Sequence, residues 1–191
     1  MRILWGVGTS RTMRPHWAFH ELDLDFECRP ISPSSGETRT AEFTALTARQ
    51  KIPLFQDNEL VLTESAAIIW YLSETYGQDH NRLIPTDPRE RARCLEWCFF
   101  ILGELDETSL YVMRRHSDMQ RVYGEAPAAI EAAATYFRKQ MRTVERALRR
   151  TPITSWASGS RQPTSYCRLA SPGRCTTGSP WRTRLSRTML V

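Results

Sequence analysis

The chain has 191 residues, of which 41% are hydrophobic and 25% charged, a composition typical of a globular protein with one or two small domains. No apolar run approaches the roughly 18 residues that a membrane span needs, and no long apolar segment of a secretory signal follows Met1. The net charge of +5 belongs to residues 151–191, which hold six arginines and no acid. Residues 1–150 keep 20 of the 26 basic residues and all 21 acidic ones, so nucleic-acid binding lacks electrostatic support there.

The first 78 residues predict an α/β domain. RILWGV predicts a strand, and the next helix runs through HWAFHEL, with Thr12 as its N-cap and Pro15 in its first turn. DFECRPI predicts a second strand and AEFTALTA a short helix. PLF and LVL predict two strands in a hairpin centred on Asp57 and Asn58, and the helix ESAAIIWYLSETY ends with Gly77 at its C′ position.

The polar segment 79–88 predicts a linker. The sequence from there to Arg150 predicts helices. RERARCLEWCFFILGELDETSLYVMRRH predicts one long helix or two, and an amphipathic helix starts near Pro127. The apolar face of that last helix is marked by Ile130, Phe137, Met141, Val144 and Leu148. The domain prediction is therefore an α/β domain over 1–78, a linker over 79–88, a truncated all-α domain over 89–150, and a tail over 151–191.

Two segments resemble the cytosolic glutathione transferases. SRTMRPHWAFHELDLDFE looks like the first active-site loop and helix of that family, and KIPLFQDNELVLTESAAIIWYL looks like its glutathione-binding segment. The resemblance covers about residues 1–150. It implies a thioredoxin-like N-terminal domain followed by an all-α domain, a homodimer, and glutathione as co-substrate without a metal.

The chemistry of glutathione activation gives Ser10 and Thr12 their possible roles. A thiol has a pKa near 8.5, and only its thiolate is a good nucleophile. The resemblance makes Ser10 the hydrogen-bond donor to sulfur, near the start of the first helix, where the helix dipole also favours a thiolate. Thr12 is a rival for that role, and the alternative is that both residues are only turn and cap residues.

The second segment supplies the expected binding groups for the tripeptide. The resemblance implies a cis bond at Ile52–Pro53, which would turn the Ile52 backbone outward to pair with glutathione like an added strand. The Ser65 hydroxyl and the N–H groups at the helix start suit the γ-glutamyl carboxylate, and Glu64 suits its ammonium. Lys51 is a candidate partner for the glycyl carboxylate. The alternative for Glu64 and Ser65 is an ordinary helix start.

Other candidate residues have weaker support. His16 and His20 have the i,i+4 spacing of a zinc site, but no third ligand is evident, so no metal site is predicted. Five cysteines without a disulfide framework predict free thiols in the cytoplasm. In the helical part, Tyr111, Arg114 and Arg115 are candidates to line an acceptor pocket, with packing and a solvated face as the alternative.

Residues 151–191 depart from the family pattern. The family commonly continues with Gly, a Phe three residues later, then Ser/Thr-x-Ala-Asp and an apolar helix, whereas 21 of these 41 residues are Ser, Thr, Gly or Pro. A shifted reading frame, in which each codon takes the last base of one residue's codon and the first two bases of the next, restores the pattern. In that frame Trp156–Ala157 can encode only Gly and Tyr166–Cys167 only Leu. The codons between them permit the missing motif. We therefore expect a frameshift at or before about Ile153, a disordered out-of-frame tail, and a chain that is poorly stable and inactive as written.

The expected function is transfer of glutathione, with its thiolate attacking small hydrophobic electrophiles and no nucleic acid or membrane as partner. One alternative is a non-catalytic glutathione-binding or scaffold module of the same fold. Another is a glutathione-dependent peroxidase or disulfide reductase. A glutathione column combined with an electrophile assay separates binding from turnover.

Overall fold

Residues 1–150 are described by the structure, which is a computed structural model. They fall into two units, Met1–Ile84 and the described residues from Pro85 onward. The interpretation of residues 151–191 as a frameshifted, disordered tail lies outside the described residues. Within residues 1–150, no helix combines the length and the apolar character that crossing a membrane requires.

The N-terminal unit alternates strands and helices in the predicted order. Its elements are β1 (Arg2–Trp5), α1 (Ser10–Glu21), β2 (Glu27–Arg29), a 3₁₀ turn (Glu37–Arg39), α2 (Ala41–Leu46), β3 (Leu54–Asp57), β4 (Leu60–Thr63) and α3 (Ser65–Tyr76). β1 pairs in parallel with β2 and antiparallel with β3, and β3 pairs antiparallel with β4, which gives the order β2-β1-β3-β4. A parallel β1–α1–β2 crossover followed by an antiparallel hairpin and a helix is the thioredoxin-like arrangement, so that expectation is confirmed.

Period-two alternation divides the core of this unit between the two faces of the sheet. Leu4 and Phe55 pack on the face covered by α1 and α3, whereas the next residue of β1, Trp5, and Leu54 of β3 pack toward α2. The larger cluster consists of Leu4, Ala18, Phe19, Leu22, Phe55, Ile68, Ile69, Leu72 and Leu83. This packing fixes the starts of α1 and α3 relative to the sheet, and both starts carry predicted site residues.

The start of α1 differs from the sequence prediction. The N-cap is Thr9 rather than Thr12, and Thr12 is the third helical residue of a reciprocal capping box. Because the helix begins at Ser10, Pro15 lies inside it instead of in its first turn. The reciprocal hydrogen bonds between Thr9 and Thr12 satisfy N–H groups at the helix start, which explains the earlier start.

Two turns also differ from their predictions. The hairpin is centred on Asn58 and Glu59, because Asp57 is still paired with Leu60 and Asn58 takes a positive φ of 53°. α3 ends at Tyr76 as predicted, but Gly77 has φ −66° and ψ 129° and is not left-handed. A glycine fits there because a Cβ would collide with the Ser73 carbonyl oxygen.

A buried carboxylate at the end of β3 predicts an alkaline effect on stability. Asp57 accepts hydrogen bonds from Tyr71, at 2.9 Å, and from Tyr76. The hydrogen bond to Asp57 and, next, burial raise the pKa of Tyr76 well above its ordinary value. The protonated phenol thus stabilises the fold fully below about pH 10, and this contribution is lost as the pH rises through the higher folded-state pKa.

We expect the unfolding free energy to fall less steeply above about pH 10 in Tyr76→Phe than in the wild-type chain. Urea unfolding followed by circular dichroism from about pH 8 to about pH 11 measures this. Tyr123→Phe, which changes an exposed tyrosine, is the matched control. Identical pH slopes for wild type and Tyr76→Phe would contradict the role of this hydrogen bond.

The described residues of the second unit form helices joined by short turns, with no strand among them. Its elements are α4 (Pro88–Phe99), a π-helical segment (Phe100–Leu110), α5 (Tyr111–His116), α6 (Gln120–Tyr123) and α7 (Pro127–Arg150). Asp87 caps α4 by accepting from the Arg89 and Glu90 N–H groups, both at 3.0 Å. The segment predicted as one helix or two is thus one helical run from Pro88 to His116, with 11 residues of wider π turns in its middle.

The π segment is joined to α7 by a side-chain hydrogen bond. Tyr136 of α7 donates to the Glu104 carboxylate, and Ser109 donates to the Glu104 carbonyl at 2.8 Å. The predicted apolar face of α7 is half-buried at Phe137 and 39% exposed at Leu148. The apolar face of α7 is therefore better buried in the middle of the helix than near its C-terminal end.

Candidate functional site

Ser10 is the first residue of α1, and its side chain is exposed. The capping box is formed by its neighbours, since Thr9 Oγ1 accepts from the Thr12 N–H at 3.0 Å and Thr12 Oγ1 accepts from the Thr9 N–H at 3.0 Å. The first turn contains no acidic side chain, so nothing there offsets the positive end of the helix dipole. The Ser10 hydroxyl can therefore donate to an anion in a site that favours negative charge.

Thr12 is poorly placed for the same task. Its side chain is fully buried, and its hydroxyl donates to the Thr9 carbonyl at 2.9 Å. A threonine hydroxyl has a single proton, and here that proton is used within the loop. The geometry favours Ser10 over Thr12 as a donor to an external anion.

The turn before β3 has the predicted backbone form. The Ile52–Pro53 peptide bond is cis, which confirms that expectation. Within residues 1–150, the Ile52 N–H and C=O make no backbone hydrogen bond, so both groups can pair with an extended ligand. Lys51, immediately before Ile52, is exposed, and its part in binding a carboxylate stays a prediction.

Gly6 allows the close approach that positions Ile52. Its φ is +109°, and a Cβ added at Gly6 would lie 2.6 Å from Ile52 Cβ. The loop that leads from β1 to Ser10 therefore packs directly against the turn that carries the free backbone groups. His16 Nε2 donates to the Gly6 carbonyl at 3.0 Å and holds the same loop from α1.

The hydrogen bond to Gly6 gives His16 a structural role. Its ring meets Phe26 edge-on with centroids 5.4 Å apart, and His20 meets the same ring at 6.2 Å. Burial lowers the pKa of His16, although its hydrogen bond with Gly6 acts in the opposite direction. No group of three His, Cys, Asp or Glu residues in the described part of the chain could hold a metal ion.

The start of α3 combines an unusual backbone with two polar side chains. Glu64 precedes the helix with φ 70° and ψ 116°, a conformation that is uncommon for a residue other than glycine and typical of functional sites. Its side chain does not cap the helix but pairs with Arg49 Nη1 at 2.5 Å. Both partners are more than half exposed, so this pair contributes little to stability. Ser65 follows as the first helical residue and is only 5% exposed.

Arg14 connects the two helix starts. Its Nη1 donates a hydrogen bond to Ser65 Oγ at 3.3 Å. Arg14 lies four residues after Ser10 in α1, so this hydrogen bond links the helix that carries Ser10 to Ser65 at the start of α3. The N-terminal unit thus groups Ser10, Ser65, Glu64 and the Ile52 backbone around the starts of α1 and α3 and the turn before β3.

The three candidate acceptor residues belong to α5 of the second unit. Arg115 lies over the Tyr111 ring at 4.4 Å and over the Tyr123 ring at 5.0 Å, and the Arg114 guanidinium approaches Asp118 at 4.0 Å. Cation–π packing therefore holds Tyr111 and Arg115 together. Their part in binding an acceptor stays a prediction.

A broad depression lies at the other end of the sheet, around the N-terminus of β1. Its lining includes Met1, Arg2, Asp57 and Tyr76 and none of the predicted site residues. The Asp57–tyrosine hydrogen bonds that define it have the structural role described above. The starts of α1 and α3, which offer an exposed hydroxyl, free backbone groups and positive helix ends, are chemically better suited to a small anionic ligand.

Sequence reasoning missed Gly6, Thr9 and Arg14. The spacing Thr9-x-x-Thr12 is a capping pattern, and a glycine between a strand and a helix signals close backbone approach. The i,i+4 spacing of Ser10 and Arg14 predicts a shared helix face. The contact of Arg14 with Ser65 has no signal in the sequence, because it depends on the packing of two helices that are 51 residues apart.

Comparisons with known proteins agree with this arrangement. Residues 2–74 match the family model described as "Glutathione S-transferase, N-terminal domain". A glutathione S-transferase of Hyoscyamus muticus is 35% identical over 97 residues, which are 51% of this chain and 46% of that protein. The chain spans a little under half the length of the curated relatives that it matches first.

Solved structures extend the similarity into the helical part. A delta-class glutathione transferase of Nilaparvata lugens superposes with a TM-score of 0.63 and 27% identity, over 75% of this chain and 64% of that one. A glutathione transferase of Pseudomonas putida, solved with one glutathione disulfide per subunit, gives a TM-score of 0.68 and 25% identity, over 78% and 65% of the two chains.

Proposed function

We propose that this chain is a member of the glutathione transferase family, whose N-terminal domain model matches residues 2–74, that its N-terminal unit binds glutathione and that the protein transfers the glutathione thiolate to small hydrophobic electrophiles. The observation that carries the proposal is the position of Ser10. Its exposed hydroxyl begins α1, outside the Thr9–Thr12 capping box, at a helix end without acidic residues. A hydroxyl in this position can donate to sulfur and favour the thiolate.

The rest of the tripeptide has a partner group for each of its polar ends. The N–H and C=O of Ile52, which make no backbone hydrogen bond within residues 1–150, are suited to pair with the cysteinyl backbone. Ser65 and the N–H groups at the start of α3 suit the γ-glutamyl carboxylate, and Glu64 suits the ammonium. Lys51 is the proposed partner of the glycyl carboxylate.

The reaction needs only proton loss and nucleophilic attack. The thiol proton leaves to solvent, and the thiolate forms a C–S bond to an electrophilic carbon. Either the leaving group departs with its electron pair, or a π bond opens and the resulting carbanion takes a proton from solvent. The Ser10 hydroxyl, which stabilises the thiolate of bound glutathione, also positions its sulfur for attack on the electrophile. Tyr111, Arg114 and Arg115 of α5 are the proposed residues for holding the hydrophobic acceptor.

Glutathione binding and turnover can be tested separately on the 191-residue chain. The chain is passed over a glutathione resin, and eluted protein is assayed with an aromatic halide electrophile. Retention with turnover supports a transferase, whereas retention without turnover favours the non-catalytic module. Failure of a folded chain to bind would overturn the proposal.

Two further parts of the proposal concern the whole protein. We propose a homodimer, which light scattering of the purified chain would test. The weak stability and low activity predicted from residues 151–191 stay a prediction, and a chain with the restored reading frame is the comparison that tests it. Equal solubility and equal turnover for the two chains would contradict that prediction.

A further inference from the structure

Arg14 joins two parts of the proposed site that are distant in sequence. It lies one helical turn after Ser10 in α1, so their side chains share a helix face. Its guanidinium donates to Ser65 Oγ at 3.3 Å, and Ser65 is buried at the start of α3. One side chain therefore reaches from the helix of the sulfur donor to the residue proposed to bind the γ-glutamyl carboxylate.

The direction of this hydrogen bond decides what Ser65 can do. A serine hydroxyl has one proton to donate and two lone pairs that accept. Because Arg14 is always charged and only donates, Ser65 must accept from it, and the Ser65 proton is left to donate elsewhere. A charged donor also polarises the hydroxyl and strengthens the hydrogen bond that it donates.

The surrounding charge favours an anion as the acceptor of that proton. Neither α1 nor α3 has an acidic residue in its first turn. Glu64, the acidic residue that precedes α3, is paired with Arg49. The positive charge of Arg14 therefore adds to two helix N-termini that no first-turn carboxylate offsets.

We propose that Arg14 is a positioning residue of the glutathione site, which turns the Ser65 hydroxyl toward the γ-glutamyl carboxylate and holds α1, with Ser10, against α3. This inference rests on the proposed function, since it takes glutathione as the ligand. Arg14 acts through Ser65 and does not need to touch glutathione.

Calorimetric titration of the 191-residue chain tests the proposal with two ligands, glutathione and an analogue whose γ-glutamyl α-carboxylate is amidated. Arg14→Gln is expected to raise the Kd of glutathione about tenfold, because a charge-assisted hydrogen bond at the carboxylate subsite is weakened. Arg14→Lys keeps the charge and is expected to recover part of this loss. Arg11→Gln removes the same charge from the same helix turn and is expected to change the Kd less than about threefold.

The amidated analogue separates positioning from a merely structural role. It offers no carboxylate to Ser65, so Arg14→Gln is expected to change its Kd less than about twofold. In a Ser65→Ala background, Arg14→Gln is expected to add no further loss of glutathione affinity. Circular dichroism of each variant confirms that it is folded before titration.

Equal losses for both ligands would overturn the proposal and leave the proposed function intact. Equal losses in Arg11→Gln and Arg14→Gln would do the same, because Arg14 would then act by charge alone. If the folded wild-type chain binds no glutathione, both the inference and the proposed function are overturned.

Discussion

Replacing Ser10 by alanine is expected to lower turnover about 100- to 1000-fold while changing glutathione affinity much less. The hydroxyl lies at the start of α1 and is not part of the capping box, so its loss leaves the helix start intact. What is lost is a donor to sulfur, which matters most for the thiolate. Initial rates with varied glutathione separate kcat from KM, and the ultraviolet absorbance of the thiolate reports the pKa of the bound thiol, which should rise.

Thr12→Ala is the matched control for this experiment. The Thr12 side chain is fully buried and bonds only within the Thr9 loop. Its loss removes the N3 half of the capping box and is expected to cost about 1 kcal/mol of stability, with a normal thiol pKa in the folded fraction. If Thr12→Ala raises the thiol pKa and Ser10→Ala is silent, Thr12 is the sulfur donor and the present assignment is wrong.

Gly6→Ala is expected to destabilise the N-terminal unit by about 3 kcal/mol and to abolish detectable glutathione binding. Alanine at φ +109° carries a conformational cost of about 1–3 kcal/mol. Its Cβ would also lie 2.6 Å from Ile52 Cβ, and overpacking of this kind adds about 1–3 kcal/mol. This clash displaces the turn before β3, whose Ile52 backbone groups are proposed to pair with glutathione.

Gly8→Ala isolates the conformational part of this cost. Gly8 also has a positive φ, of +81°, but a Cβ there meets no atom within 4 Å. We expect a loss of about 1 kcal/mol of stability and an unchanged Kd for glutathione. Urea unfolding and calorimetric titration of both variants measure the difference. Equal effects of the two substitutions would show that contact with Ile52 does not position the site.

Elements with a strong local pattern could be predicted from the sequence. The strands of the N-terminal unit, α3 and the cis bond at Ile52–Pro53 follow from apolar runs, a helical period and a motif that resembles a known family. The start of α1 was misplaced because either Thr9 or Thr12 could serve as a cap by residue type. The reciprocal hydrogen bonds between them identify Thr9 as the N-cap, and they can be seen only in the folded structure.

The second unit shows a second limit of prediction from the sequence. An unbroken helical period across residues 88–116 cannot distinguish one helix from two, and it gives no sign of the π turns at Phe100–Leu110. Tyr136 bonds to Glu104 across 32 residues, so its partner depends on helix packing. Contacts of this kind, like that of Arg14 with Ser65, are set by tertiary structure.

A nuclear magnetic resonance titration of the 15N-labelled 191-residue chain with glutathione shows whether the ligand binds at the starts of α1 and α3. We expect saturable shifts that are largest at the amides of Ser10, Ile52 and Ser65, with smaller changes at Gly8 and none at Asn58, at the far end of the sheet. Shifts centred on Asn58 and Tyr76, or no saturable shift in a folded chain, would contradict this expectation.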